Sequence, residues 1–367
     1  MNTKRAILVL SQRDLHHPKA GGAEKYMHHA LAQVALTREV IILSCGFNGC
    51  EKEETINNIK VIRKGKNLLS VIVYGYLYYM KHRKNIDLVI DHSNTHQFFT
   101  FLFARKKRVF FIHQLAVECW NYYYGKIGYV CRIAEDLLIR MSRGRTITVS
   151  HSTEQDLMTR GFREVYVCPE GNDIINEEIP QVTKQDYLIY IGRLVPYKRV
   201  EDALDVAKGL QRPIKIMGRG PEKYMNFLKQ YAKTHNIDCE FMGFVSVEEK
   251  NRIISEAYFL VMPSIREGWG LVITESANLG TPSIVYPVNG VIEAVDYGKA
   301  GIISDDINPK NMIAKLKFIN NDDYQLIRQN AFAFSKTIVW ENTAKVFAEI
   351  IDKLVLGEIE EVLYEKS

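Results

Sequence analysis

Two series of short β-branched strands, each strand followed by an amphipathic helical segment, predict an α/β fold of two doubly wound domains with parallel sheets. Three observations carry this reading. The strands are apolar on both faces, as in sheets covered by helices on both sides. Strand and helix patterns alternate along most of the chain. The alternation breaks and restarts around one polar stretch, "CPEGNDIINEEIPQVTKQD" at 168–186, where Pro, Gly, Asn and charge interrupt the periodicity.

In order, "RAILVL", "EVIIL", "IKVIR", "DLVID", "RVFFI", "TITVS" and "VYVC" form the first series, with helical patterns near 22–36, 68–84, 95–105, 128–142 and 152–160. The second series is "YLIYIG", "IKIMG", "CEFMG", "YFLVMP" and "PSIVY". After about residue 308 the pattern is helical throughout, ending in "WENTAKVFAEIIDKLVLGEIEEVL". The expected domains are 1–178, 179–335 and a terminal helix, 336–367, packing back towards the first domain. A length of 367 residues, 47% apolar and 25% charged, suits this plan and excludes a disordered or fibrous chain.

The six cysteines include no CxxC and no zinc spacing, so reduced thiols in a cytoplasmic protein are expected. The N-terminal apolar run is short and reads as a buried strand, not a secretion signal. The longest apolar run, "LLSVIVYGYLYYM", falls short of the roughly 20 residues that span a bilayer. Net charge is +5, unevenly spread. Residues 1–180 carry about 25 Lys and Arg against about 18 Asp and Glu, and the remainder is slightly acidic. A basic first half suits an anionic partner. The run "KNLLSVIVYGYLYYMKHRK", with "ARKKR" and "RMSRGR", mixes aromatics and cations as an interfacial helix does, so the inner face of a membrane is a candidate partner. The same run is equally suited to cover the sheet.

Open parallel sheets bind ligands beyond the carboxyl ends of their strands. After the first strand, Gly21 and Gly22 precede a helix, where backbone N–H groups can approach a phosphate. The dinucleotide fingerprint G-x-G-x-x-G is absent. The fifth strand of the first series ends at His113. The first strand of the second series leads into Arg193 and Lys198, two cations of the kind a diphosphate requires. "IMGRGPE" adds a turn at Gly218 and Gly220, where backbone can pass close to a flat base.

The stretch "PSIREGWGLVITESANLGTP" then sets Glu267 before a helix and Glu275 on its second turn. Gly268, Gly270 and Leu271 offer N–H donors at that helix start. A diphosphate there would leave Glu267 and Glu275 at opposite ends of the ligand. A glycosidase would need two carboxylates across one bond, but phosphate-binding loops are not part of such a site.

Taken together, "AGGAE", "GRLVPYKR" and "PSIREGWGLVITESANLGTP", with "ITVSHSTEQDL" and "CPEGND" between them, resemble the retaining glycosyltransferases of family 4, over almost the whole chain. The resemblance implies a GT-B fold, two Rossmann-like domains facing each other across a deep cleft. It implies transfer, with retention and without a metal or cofactor, from a nucleoside diphosphate sugar, UDP- or GDP-linked, to a glycan or lipid-linked acceptor in cell-surface polysaccharide or glycolipid assembly. Nucleic acid is not an expected partner.

By the same resemblance Gly21 and Gly22 pack against the diphosphate, and Arg193 and Lys198 neutralise it. Glu267 binds sugar hydroxyls, Glu275 holds the ribose, and His113 contacts the transferred sugar. Gly268, Trp269, Gly270 and Leu271 donate N–H groups, while Gly218 and the turn at Gly243 and Phe244 border the base. Gln114 stands where many relatives have Asp, and Trp269 replaces the commoner Phe. Lys198→Ala is expected to reduce transfer far more than it perturbs folding. A nucleotide-sugar epimerase and a non-catalytic nucleotide-sugar sensor are the competing readings.

Overall fold

The computed structural model describes residues 5–93 and 96–356. The start of the helical pattern expected at 95–105 and the tail of the one at 336–367 lie outside the described residues.

The first unit takes in residues 1–115, 136–171 and 340–367. Its strands are β1 (Ala6–Ser11), β2 (Glu39–Ser44), β3 (Glu53–Ile56), β4 (Ile59–Arg63), β5 (Ile86–Ser93), β6 (Arg108–Ile112), β7 (Thr146–Thr148) and β8 (Val165–Val167). They form one sheet in the order β3-β4-β2-β1-β5-β6-β7-β8, parallel except at β3. β1 is buried along its whole length, with Leu8 paired to Ile41 on one side and Val89 on the other. Strand β3, absent from the sequence reading, is a charged edge strand. It turns back on β4 through Asn57 and Asn58, both at positive φ, as a tight hairpin requires. His113 therefore follows the sixth strand of this sheet, not the fifth.

Helices cover the sheet. Leu68–His82 is capped by Asn67, whose side chain accepts from the Ser70 amide, and buries Val71, Gly75 and Tyr79. The helix expected at 95–105 is only Thr100–Phe103. Buried Asp91 explains this, because its carboxylate accepts from the Phe98 and Thr100 amides and the Thr100 hydroxyl, pinning the preceding loop. Trp340–Leu356 belongs to this unit: Trp340 stacks on His29 and Phe347 lies against Phe111.

The second unit contains residues 116–135 and 172–339. Its strands β9 (Leu188–Ile191), β10 (Ile214–Met217), β11 (Cys239–Gly243), β12 (Phe259–Met262), β13 (Ser283–Val285) and β14 (Ile302–Ile303) run parallel in the order β11-β10-β9-β12-β13-β14. Leu188, Ile189, Leu260, Val261 and Ile284 form the centre of one continuous core. The chain does not divide at one point near 178. It enters the second unit at 172, and the excursion 116–135 joins that unit from within the first half. Ala116 and Cys119 pack with Val195, Tyr197 and Ile265, while Glu135 accepts from the Ala116 amide and the Trp120 indole, both at 2.8 Å.

Candidate functional site

In each parallel sheet the strand order reverses at one place, and there the loops diverge to leave a crevice beyond the carboxyl ends. In the second unit it falls between β9 and β12. The loop after β9 carries Arg193 and Lys198, and the loop after β12 carries 263–270. Lys198 Nζ donates directly to Glu267 Oε1, and both side chains are only 10% exposed. Arg193 donates to the Tyr197 hydroxyl at 2.7 Å, with its guanidinium 6.0 Å from that ring. Tyr197 is buried between the two cations in sequence and fixes the turn that carries them.

The 263–270 loop is held from several sides. The Ile265 amide donates to the Tyr197 carbonyl, and Arg266 pairs with Glu118 of the 116–135 excursion at 3.4 Å. Gly290, in the turn after β13, has φ +84, and a Cβ there would come within 2.3 Å of the Glu267 carbonyl oxygen. That close approach requires glycine. Trp269 is a core side chain, so what its position offers outward is main chain. Gly270 at φ +104 caps the helix Leu271–Asn278, whose Glu275 accepts from Lys250 at 2.9 Å. Burial pushes the Cys119 thiol up to about 12, with the Glu267 and Glu118 carboxylates adding to it, so it is no thiolate nucleophile.

Gly218 and Gly220 are accounted for by packing within the unit. A Cβ at either would lie 1.8 Å from a carbonyl oxygen, of Gly192 and of Leu194 respectively. Gly243 has φ +67 with no atom within 4 Å of an added Cβ. Next to it Phe244 is 79% exposed, its ring 5.4 Å from the Arg219 guanidinium.

In the first unit the reversal lies between β1 and β5. Gly21 caps the helix Gly22–Ala30, and its amide donates to Glu24 Oε2 at 2.7 Å, while Glu24 also pairs with Arg13. Gly21 differs from Gly218. Its backbone is extended, and nothing lies closer to an added Cβ than 3.8 Å, so the fold itself does not demand glycine there. His113 is buried, with Nε2 3.1 Å from His92 Nε2 and Nδ1 3.7 Å from Glu170 Oε1. Burial lowers His113 to about 4 and His92 to about 3, so both rings are neutral at pH 7. Gln114 leaves a buried carboxamide oxygen without a hydrogen-bond partner among the described residues.

His92, Glu170, Tyr197, Lys250, Arg266 and Gly290 escaped the sequence reading as site residues. Tyr197 lies inside "GRLVPYKR" and Glu170 inside "CPEGND", so the motifs held them without assigning a role. Among the described residues no three His, Cys, Asp or Glu side chains gather where they could hold a metal ion.

Fold and loops define a two-unit α/β protein with glycines, cations and carboxylates at its strand-order reversals. Residues 20–174 match Glycosyltransferase Family 4 and residues 172–333 match Glycosyl transferases group 1. The chain belongs to the group 1, family 4-like glycosyltransferases, and its fold is GT-B.

An uncharacterized glycosyltransferase of Methanocaldococcus jannaschii is 31% identical over 172 residues, covering 45% of this chain and 48% of that protein. The chain spans about half the length of the curated relatives it matches. Sucrose-phosphate synthase from Thermosynechococcus elongatus superposes with a TM-score of 0.74 at 16% identity, over 99% of this chain and 100% of that one. Anabaena HepE, solved in complex with UDP and glucose, gives 0.75 at 17%, over 95% and 100%.

Proposed function

We propose that the protein is a retaining glycosyltransferase that moves a sugar from a UDP- or GDP-linked donor to a glycan or lipid-linked acceptor. The observation that carries this is the group at the β9/β12 reversal: Lys198 and Arg193 from one loop, Glu267 and the helix start at Gly270 from the other. Breaking the bond between sugar and diphosphate puts negative charge on the leaving phosphate. Two fixed cations and helix N–H groups stabilise that charge as it develops.

In this reading Lys198 exchanges Glu267 for the diphosphate, which frees the Glu267 carboxylate for sugar hydroxyls. Glu275, oriented by Lys250, takes the ribose hydroxyls. Phe244 with Arg219 forms a platform beside Gly243 on which a base can stack. Within the first unit Gly21, a glycine the fold does not need, leaves main chain at a helix start open to a phosphate group. The leaving phosphate accepts the acceptor's proton on the same face, and two side-chain cations serve where other transferases use a metal.

A lipid-linked acceptor is supported by the surface. On the helix Gly128–Met141 the side chains Tyr129, Val130, Ile133, Leu137 and Met141 are exposed, following exposed Tyr122, Tyr123, Tyr124 and Ile127. The exposed charges there include Lys126, Arg132 and Arg140, the last paired with Asp136 at 2.6 Å. The acidic Glu118, Glu135 and Asp136 are held by Arg266, Trp120 and Arg160. The expected helix Leu68–His82 also exposes Leu69, Val73, Tyr74, Tyr76, Leu77 and Met80. Apolar side chains among cations suit the face of an anionic membrane, and no described helix is long and apolar enough to cross one.

Thermal shifts with UDP-, GDP-, ADP- and dTDP-sugars test the donor, followed by transfer from the stabilising donor to lipid-extracted acceptors. Binding without transfer or hydrolysis would leave a sensor, and isomerised donor would show an epimerase. Flotation with anionic liposomes tests the surface. Ile133→Asp with Leu137→Asp should abolish flotation without lowering Tm, and no flotation of the unaltered protein at low salt would refute the membrane reading.

A further inference from the structure

In the first unit, a buried chain of Ser11, His92 and His113 has hydrogen-bond directions that can be deduced. Ser11 Oγ lies 2.7 Å from the Arg13 carbonyl oxygen and 2.9 Å from His92 Nδ1. A carbonyl only accepts, and two oxygens at that distance with no proton between them repel, so the single hydroxyl proton of Ser11 points to Arg13. Ser11 Oγ therefore accepts from His92, which puts the His92 proton on Nδ1. A neutral imidazole with its proton on Nδ1 has a lone pair on Nε2. That lone pair faces His113 Nε2 at 3.1 Å, so His113 carries its proton on Nε2. The Nδ1 of His113 is then an acceptor. It stands 3.7 Å from Glu170 Oε1, too far for a hydrogen bond between them.

We propose that His92, anchored by Ser11, is a positioning residue that fixes His113 in the Nε2–H tautomer, so that His113 meets its ligand through an Nδ1 lone pair and accepts a sugar hydroxyl. The sugar half of this statement rests on the donor reading above, and the tautomer half does not.

The surroundings agree with a fixed, neutral ring. Tyr26 and Phe111 pack edge-on against His113, and the Tyr26 hydroxyl is committed to the Cys168 carbonyl. The Glu24 carboxylate favours protonation of both rings and Arg13 opposes it at His92, with burial outweighing both. An acceptor nitrogen beside the Glu170 carboxylate welcomes a hydroxyl and repels a phosphate. This corner therefore suits the sugar end of a donor, and His113 is excluded as its proton source.

The test uses the full chain labelled with 15N-histidine, whose ring nitrogens report protonated and bare states separately by NMR. At pH 7 the expected spectra show His92 as Nδ1–H and His113 as Nε2–H, assigned by the signals lost in His92→Gln and His113→Gln. His113 found as Nδ1–H, or as imidazolium, would overturn the tautomer assignment, and the unaltered protein alone decides this. His92→Gln offers a carboxamide oxygen to the His113 N–H and should keep the tautomer. His92→Leu removes the acceptor and should release it.

Titrations with UDP and with UDP-glucose separate the two halves. UDP should bind His92→Leu as it binds the unaltered protein, whereas UDP-glucose should bind about tenfold more weakly, with most of the loss recovered in His92→Gln. Equal UDP-glucose affinity in His92→Leu would overturn the hydroxyl role. If neither UDP nor UDP-glucose binds the unaltered protein, the titrations are made with GDP and GDP-mannose; failure of both pairs ends the donor reading and the hydroxyl role with it, while the spectra still decide the tautomer.

Discussion

Replacing Lys198 by alanine should damage stability as well as transfer, contrary to what the sequence suggests. Lys198 and Glu267 form a contact pair with side chains only 10% exposed. Removing the ammonium leaves a buried carboxylate, a loss in the range of about 3–5 kcal/mol for such pairs. The Arg193 guanidinium on the same loop still balances part of that charge, so the low end, about 3 kcal/mol, is expected. For a chain of 367 residues unfolding in one transition that lowers Tm by roughly 4 °C. Lys198→Ala with Glu267→Gln removes both charges and should cost only about 1–2 kcal/mol, chiefly lost packing of the lysine stem. Glu267→Gln alone leaves a buried ammonium without its carboxylate and carries its own cost, so the coupling is at least about 1–2 kcal/mol and is measurable by urea unfolding of the four proteins in the cycle. The donor supplies the second readout. At a hundredfold excess over Kd a ligand adds about 2.7 kcal/mol to the unaltered protein, and neither variant should gain more than a small fraction of that from UDP. Additive single and double variants, with Lys198→Ala melting within about 2 °C of the unaltered protein, would show that the pair does not form in solution. A full UDP shift in Lys198→Ala would remove the lysine from the donor site.

Glycines that look alike in the sequence should behave in opposite ways. Gly21→Ala should leave stability within about 0.5 kcal/mol and weaken binding of the nucleotide sugar in calorimetry, whereas Gly218→Ala should destabilise by more than about 3 kcal/mol in urea unfolding, because its Cβ would overlap the Gly192 carbonyl. Burial lowers His28 and His113 to about 4 and His92 to about 3. The unfolded chain therefore binds more protons below its histidine pKa, so stability is full above about pH 6.5 and falls towards pH 4. His28→Leu should reduce that slope, as read from urea midpoints at pH 5 and 7. Lys184, which donates to Ser255 and Thr281, is lowered to about 7, chiefly by burial and further by Arg328. Between that value and the ordinary lysine pKa the unfolded chain binds more protons, so stability should rise with pH from about 7 to 10, and Lys184→Met should flatten the rise.

The sheets were legible because each central strand is an apolar run bounded by turn residues, and the strand-end loops were legible because glycines and cations stand where a parallel sheet presents its ligands. Glu53–Ile56 escaped because an edge strand paired on one side can be charged, and two asparagines at positive φ closed its hairpin where Asn-Gly is the usual signal. The 116–135 excursion escaped because nothing local requires it. It is held by Glu135 gathering the Ala116 amide and the Trp120 indole, and by Cys119 filling a space beside Tyr197. In the site, motif residues could be named singly, but their pairing could not. Lys198 and Glu267 are 69 positions apart, and their contact depends on β9 and β12 being neighbours in the sheet. Likewise no spacing rule connects Ser11, His92 and His113, which meet because β1, β5 and β6 lie side by side.

The helix Trp340–Leu356 has a bearing on biosynthesis. Trp340 and Phe347 complete the hydrophobic cover over Tyr26, His29 and Phe111 in the first unit. As the chain leaves the ribosome, the first unit must wait until the helix Trp340–Leu356 has emerged before its core can close. The second unit can mature meanwhile, once 172–339 has followed the earlier 116–135 segment out. A fragment ending at the sheet's last strand, β8, would therefore expose that apolar face to chaperones and proteases, and adding the helix as a separate peptide should restore its protection.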